Sequence, residues 1–159
     1  MRNKIRLGIL GGGGDSLIGV VHRIASNMFD RFQLVGGCFN PNPKENNAFA
    51  KHIGVPLNRT YDSFDILIEE ELKLPVEQRM EVISVLTPNF LHFPMAKKLL
   101  ENDFNVICEK PLTTTYIEAL ELEALQKEKQ TVFAVTYTYT GYPMVRQMKD
   151  MIRRGVLGP

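Results

Sequence analysis

Cysteine is scarce in this chain of 159 residues, which holds only Cys38 and Cys108. Two widely separated thiols fit neither a disulfide framework nor a metal-ligand spacing, so both are expected reduced and no metal site is expected. Charge of one sign is also lacking, because 19 Lys and Arg side chains stand against 18 Asp and Glu, a formal net charge of +1. That balance leaves no electrostatic footprint for nucleic acid or an anionic membrane surface, and neither is expected as a partner. No apolar run is long enough to span a bilayer. The opening MRNKIRLGIL passes directly into a strand-like run without the anatomy of a signal peptide, so a cytoplasmic location is expected. Repeats and low-complexity segments are absent. What remains, 44% hydrophobic and 23% charged residues, is the composition of an ordinary globular protein, and the length supports one domain with a real core but not comfortably two.

Short apolar runs alternate with helical patterns along the chain. Lys4–Leu10, Gln33–Phe39, a short extended piece at Leu57–Tyr61, Glu81–Leu86, Asn105–Glu109 and Thr131–Thr138 read as six strands. Between them, helices are expected over about Leu17–Phe29, Lys44–His52, Asp62 or Ser63 to Leu72, Phe93–Glu101 and the stretch TTTYIEALELEALQKEKQ. In the last of these, the clearest helix pattern of the chain, the apolar Ile117, Leu120 and Ala124 recur at steps of three and four with charges between them. A final helix pattern covers Tyr142–Arg154. Such alternation predicts an α/β fold, a doubly wound parallel sheet in the order 3-2-1-4-5-6 with helices on both faces. The closing GVLGP reads as a passage into further structure. Residues 1–140 are therefore expected to form the domain, and 141–159 a connecting helix toward a second domain outside this chain.

Four consecutive glycines follow the first strand. A phosphate loop needs a sharp turn, a backbone free of Cβ atoms facing the anion, and a helix N-terminus behind it. The spacing Gly11-x-Gly13-x-x-Ser16 meets these needs, with Ser16 where a third glycine normally permits close helix packing. Gly19 is placed to serve that packing one turn later. A plain structural turn is the alternative reading. Asp15 sets a carboxylate beside the expected anion site, or else caps the helix and points away. The second strand ends Phe39-Asn40-Pro41-Asn42 and offers no carboxylate to a ribose. Asn40 is then expected to meet a 2′-hydroxyl, and Lys44 either meets a 2′-phosphate or is simply solvated. Cofactor preference is expected to be weak or to lean toward NADP.

Further on, LTPNFLH (86–92) closes one strand and CEKPL (108–112) closes the next. With the glycine loop and the late YTGYPMVRQMKDMIRRGVLG, the chain resembles the Gfo/Idh/MocA oxidoreductases over essentially its whole length. That resemblance implies a Rossmann domain that binds NAD or NADP and serves oxidation or reduction of a sugar, cyclitol or similar polyol. Carried over by position, Gly11, Gly13 and Ser16 would hold the pyrophosphate, and Thr87, Pro88 and Asn89 would line the nicotinamide-ribose side with His92 behind them. Glu109 would contact the nicotinamide ribose, and Lys110 would be the catalytic lysine that contacts both the ribose and the substrate hydroxyl. The bond between Lys110 and Pro111 would be cis. The family's Asp and His partners, on a helix of its second domain, have no counterpart in this chain. The extra residues before His22 depart from the family's shorter glycine loop.

The residue chemistry agrees with this. Open α/β sheets bind ligands at the carboxyl ends of their strands, and a lysine there supplies positive charge where a hydroxyl loses its proton. For His92, helix packing and ligand contact are both open. His22 and His52 are expected to be exposed, Cys108 to be a small buried hydrophobe, and the tyrosines 137, 139 and 142 to be core or to face the second domain. A non-catalytic dinucleotide sensor is the competing function, and a methyltransferase-type nucleoside binder would leave EKP unexplained. Substrate identity and assembly into a homo-oligomer are not legible.

Overall fold

The computed structural model describes residues 4–156 and 158. Five parallel strands form one sheet: β1 (Ile5–Gly11), β2 (Phe32–Cys38), β3 (Val82–Leu86), β4 (Asn105–Cys108) and β5 (Phe133–Val135), in the order β2-β1-β3-β4-β5. Each strand pairs in parallel with its neighbour, and a register shift at Leu7/Gly8 sets one extra residue of β2 against β1. The helices are α1 (Leu17–Asn27), α2 (Pro43–His52), α3 (Phe64–Lys73), α4 (His92–Glu101), α5 (Tyr116–Lys129) and α6 (Pro143–Arg153).

Alternation along the strands divides the core. Leu7, Ile9, Val82 and Leu86 face α1 and α2, where they pack with Phe39, Ala50 and Val55. Leu10, Ile83, Val85 and Val106 face the other way and meet Leu67, Leu99, Leu100 and Leu122 of α3, α4 and α5. Side chains pointing to opposite faces at successive positions explain the split. Helix starts follow their caps. Ser16 accepts from Gly19 N, Asn42 from Lys44 N with Pro43 at the first helical position, and Ser63 from Ile66 N. Thr115 and Glu118 form a reciprocal capping box on α5.

The sheet corrects the expectation of six strands. Residues 57–61 do not form a strand, because Leu57–Arg59 is a 3₁₀ turn. Arg59 N donates to Pro56 O and Thr60 N to Leu57 O, so these N–H groups are spent inside the turn. Only Tyr61 N reaches β2, at Gly37 O, and Gly37–Thr60 is a single parallel bridge. Beneath it, the fully buried Glu71 takes Arg59 Nη2 at 2.8 Å, Tyr61 OH at 2.5 Å and Met80 N at 2.8 Å, and holds both side chains of the turn down against α3.

The helix α5 forms where its pattern predicts it, but its buried face is not the one that Ile117, Leu120 and Ala124 mark. Ile117 and Leu120 are exposed, whereas Leu122 is buried and Leu125 packs beside it in the cluster with α4. The helix carries two apolar stripes, and the one with two leucines is the one that meets α4. The tyrosines 137, 139 and 142 are exposed and outside the core, with the rings of Tyr139 and Tyr142 edge to face at 5.4 Å. Among the described residues, no helix is long and apolar enough to cross a membrane.

Candidate functional site

The strand order reverses beside β1, since the chain moves to β2 on one side and to β3 on the other. Their carboxyl ends therefore part and leave a crevice. A cavity of about 700 Å³ opens there, lined by Gly11, Gly12, Gly13 and Ser16 below, Phe39, Asn40 and Pro41 on the β2 side, and Thr87, Pro88 and Met95 on the β3 side.

The glycines are there because side chains would not fit. Gly11 and Gly12 have φ of +76° and +66°, and a Cβ on Gly13 would lie 2.6 Å from Phe39 O. Gly19 is the tightest, since its Cβ would stand 1.9 Å from Gly12 O. That contact lets the first turn of α1 close onto the loop, which is the packing role of the third glycine in a dinucleotide fingerprint. Ser16 caps the helix instead, and Asp15 is exposed in the turn before it and is not the cap. Backbone bared of Cβ atoms, joined to a helix N-terminus, suits a pyrophosphate.

Six of the residues expected at the ligand line this cavity: Gly11, Gly13, Ser16, Asn40, Thr87 and Pro88. Asn89 begins an exposed 3₁₀ turn (Asn89–Leu91) and Lys110 is exposed at the end of β4, both outside the lining. The Lys110–Pro111 bond is cis. His92 stands behind the wall, 1% exposed, with Nδ1 2.7 Å from Pro111 O and Nε2 2.9 Å from Thr87 O. It ties the two strand-end motifs together.

Glu109 faces the other side of the sheet. Its carboxylate accepts from His22 Nε2 at 3.0 Å, from Thr136 Oγ1, and from Lys110 N at 3.1 Å. Burial pushes the Glu109 carboxyl up, but the bonds from Thr136, His22 and Lys110 outweigh it and hold the group below the usual carboxylate range. His22 is not the exposed helix residue that the sequence suggested, for its side chain is 12% exposed and paired with this acid. Together they line a smaller hollow of about 300 Å³ between α1 and the sheet, with Thr136 and Thr138. Cys108 is buried as expected, and burial, then the neighbouring Glu109, push its thiol up to about 12.

Sequence reasoning missed several residues of the site. Cys38, Asp62, Ser63, Phe64, Leu91 and Met95 also line the large cavity. Burial and then the charge of Asp62 push the Cys38 thiol up. Asn46, fully buried, organises the β2 end: its Oδ1 accepts from Phe39 N at 2.8 Å and Asn40 N at 3.3 Å, and its Nδ2 donates to Tyr61 O at 2.8 Å. No motif flags an asparagine inside a helix pattern, and its role appears only when β2, α2 and the 3₁₀ turn are brought together.

A parallel sheet reversing beside β1, with a glycine turn feeding a helix N-terminus at that point, defines a dinucleotide-binding domain of Rossmann type. Residues 5–137 match GFO_IDH_MocA, described as an oxidoreductase family with an NAD-binding Rossmann fold. The uncharacterized oxidoreductase YfiI of Bacillus subtilis is 36% identical over 97% of this chain and 39% of its own length. Among solved structures, an inositol dehydrogenase homolog from Azotobacter vinelandii, complexed with NADH and myo-inositol, superposes with a TM-score of 0.94 at 36% identity, over 99% of this chain and 41% of that one. An oxidoreductase from Pseudomonas syringae gives a TM-score of 0.94 at 34% identity, over 99% and 43%. The chain belongs to the Gfo/Idh/MocA oxidoreductase family and carries its NAD-binding Rossmann fold. It spans about two fifths of the length of these relatives.

Proposed function

We propose that this chain is the cofactor-holding part of an oxidoreductase that moves a hydride between a nicotinamide dinucleotide and a CH–OH carbon of a sugar, cyclitol or similar polyol. The observation that carries the reading is the joining of the TPN and EKP segments through His92, beside a strand-end crevice whose floor is the glycine loop. In this reading Gly11, Gly13 and Ser16 bind the pyrophosphate, Asn40 lies beside the first ribose, and Thr87, Pro88 and Asn89 border the nicotinamide ribose. When bound, the dinucleotide supplies the carbon that takes or gives the hydride.

Lys110 holds its ammonium over the reacting hydroxyl, stabilises the oxygen as its proton leaves, and orients it. His92 and Glu109 are positioning residues. His92 ties the Pro111 carbonyl to Thr87, and Glu109 fixes the Lys110 backbone from the opposite face. The segment 141–159, through its helix α6 (Pro143–Arg153), is the connection toward a substrate domain. Its α6 exposes Met144, Met148 and Ile152 along one side. Polyol walls and a proton-accepting partner for Lys110 belong to that second domain, in keeping with the greater length of the relatives.

The test is a titration of this chain with NADH, followed by fluorescence or calorimetry, and then absorbance at the reduced-nicotinamide band with a panel of sugars and cyclitols. Saturable binding is expected, lost in Gly13→Val and changed only a few-fold in Lys110→Ala, with no turnover by the chain alone. Absence of binding to any nicotinamide dinucleotide refutes the reading. Turnover abolished by Lys110→Ala would show that the chain needs no second domain.

A further inference from the structure

The second strand ends without a carboxylate in its own sequence, yet the fold delivers one there. Asn42 N donates to Asn40 Oδ1 at 2.8 Å, and this leaves the amide nitrogen of Asn40 turned outward. That nitrogen donates to Glu45 Oε2 at 2.8 Å. The backbone carrying Asn40 is itself pinned by the buried Asn46. Glu45 thus sits in the first turn of α2, one hydrogen bond from a residue that lines the crevice beside Gly11–Gly13. Among the described residues, its Oε1 has no hydrogen-bond partner. The premise that no acid stands at this place is corrected, because Glu45 reaches it from α2.

We propose that Glu45, held by Asn40, selects the unphosphorylated dinucleotide over its 2′-phosphorylated form. This rests on the reading of the crevice as a dinucleotide site. A carboxylate with a free oxygen accepts a ribose hydroxyl, and the same charge repels a phosphate on that hydroxyl. Asp62 on the facing wall has the same sign. Lys44 is the opposing charge. Its backbone N is held by the Asn42 cap, and its side chain is exposed with no ion pair among the described residues. What distinguishes Glu45 from both is its bond to a residue of the cavity wall.

The experiment is calorimetric titration of NAD⁺ and NADP⁺ into the wild-type chain, Glu45→Gln and Asp62→Asn, at low salt and again near 1 M. Wild type is expected to bind NAD⁺ more tightly. Glu45→Gln should narrow the NAD⁺/NADP⁺ ratio by roughly 5- to 30-fold, the range for exposed charges a few ångströms apart. Glu45 is exposed, so the variant should keep its melting temperature. High salt, with a screening length of about 3 Å, should narrow the wild-type ratio as well. A ratio unchanged in Glu45→Gln, or one that responds only to Asp62→Asn, overturns the assignment. Equal binding of both dinucleotides by wild type overturns it while leaving the dinucleotide site intact, whereas binding of neither removes both.

Discussion

Gly19→Ala is the sharpest probe of the loop, because the added atom meets the backbone of Gly12. Its Cβ would lie 1.9 Å from Gly12 O, 2.6 Å from Gly12 C and 2.8 Å from Gly12 Cα. Restoring ordinary contact requires α1 and the glycine turn to part by about 1.5 Å, and no side-chain rotation relieves it. Overpacking of this kind typically costs about 1–3 kcal/mol. Alanine recovers roughly 1 kcal/mol of helix propensity over glycine, so the net loss expected is at most about 2 kcal/mol, a fall of up to roughly 8 °C in melting temperature. The larger effect falls on the ligand. The first turn of α1 would retreat from the anion, and NADH affinity should drop by tenfold or more, since a misplacement of about 1 Å is known to be costly wherever geometry is set by close contact. Gly141→Ala is the control, because nothing lies within 4 Å of its Cβ and its φ is not positive. Thermal melts and fluorescence titration of both variants provide the measurement. A Gly19→Ala protein that melts and binds like wild type would refute the close-packing role.

Asn46→Ala removes the acceptor for Phe39 N–H and the donor to Tyr61 O inside a fully buried site, and should destabilise the fold by about 2–4 kcal/mol, read by urea denaturation. An effect under about 0.5 kcal/mol would mean that the neighbours re-pair without it. Glu109 gives a pH signature. Its folded pKa lies below the ordinary value, so its contribution is present above the unfolded carboxylate pKa and is lost as pH falls through the folded value. In melts from about pH 6 down to about pH 3, the gap between wild type and Glu109→Gln should therefore hold down to the ordinary carboxylate value, about pH 4.3, and close progressively below it. A gap that stays constant would contradict the triple hydrogen bond.

The order of elements was legible because the strands are short apolar runs set between helical patterns, and because α1, α2, α3 and α5 each start at a Ser, Thr or Asn cap. The strand at 57–61 and the exposure of His22 were misread for local reasons that composition hides. Residues 57–61 look extended by type, but Pro56 and the buried Glu71 turn them into a 3₁₀ turn. In α5, two stripes share the same period, and only the neighbouring α4 decides which is buried. Most of the cavity floor was legible from the glycine spacing and from TPN. Asp62, Phe64 and Met95 were not, since they reach the crevice from a different part of the chain and belong to no pattern. Glu45 was hidden for a related reason. A search for an acid at the strand end looks along the strand, whereas this one returns from the next helix through a hydrogen bond to Asn40.

The bonds around Lys110 show how the backbone beneath an exposed lysine is held. Exposure alone leaves a four-carbon side chain free among rotamers, at a cost when it must be ordered. Here the backbone beneath it is held from two faces of the sheet. On the α1 side, Glu109 grips Lys110 N while bound in turn to His22 and Thr136, which ties the loop to the helix that starts at the glycine turn. On the α4 side, His92 spans the carbonyls of Pro111 and Thr87, which ties the same loop to the β3 end. The residues expected at the ligand therefore divide, with Gly11, Gly13, Ser16, Asn40, Thr87 and Pro88 lining the cavity, Asn89 and Lys110 outside its lining, and His92 behind its wall and Glu109 on the other face of the sheet as a second layer. Groups in that second layer act by orientation, so their loss should move the position of Lys110 before it changes dinucleotide affinity.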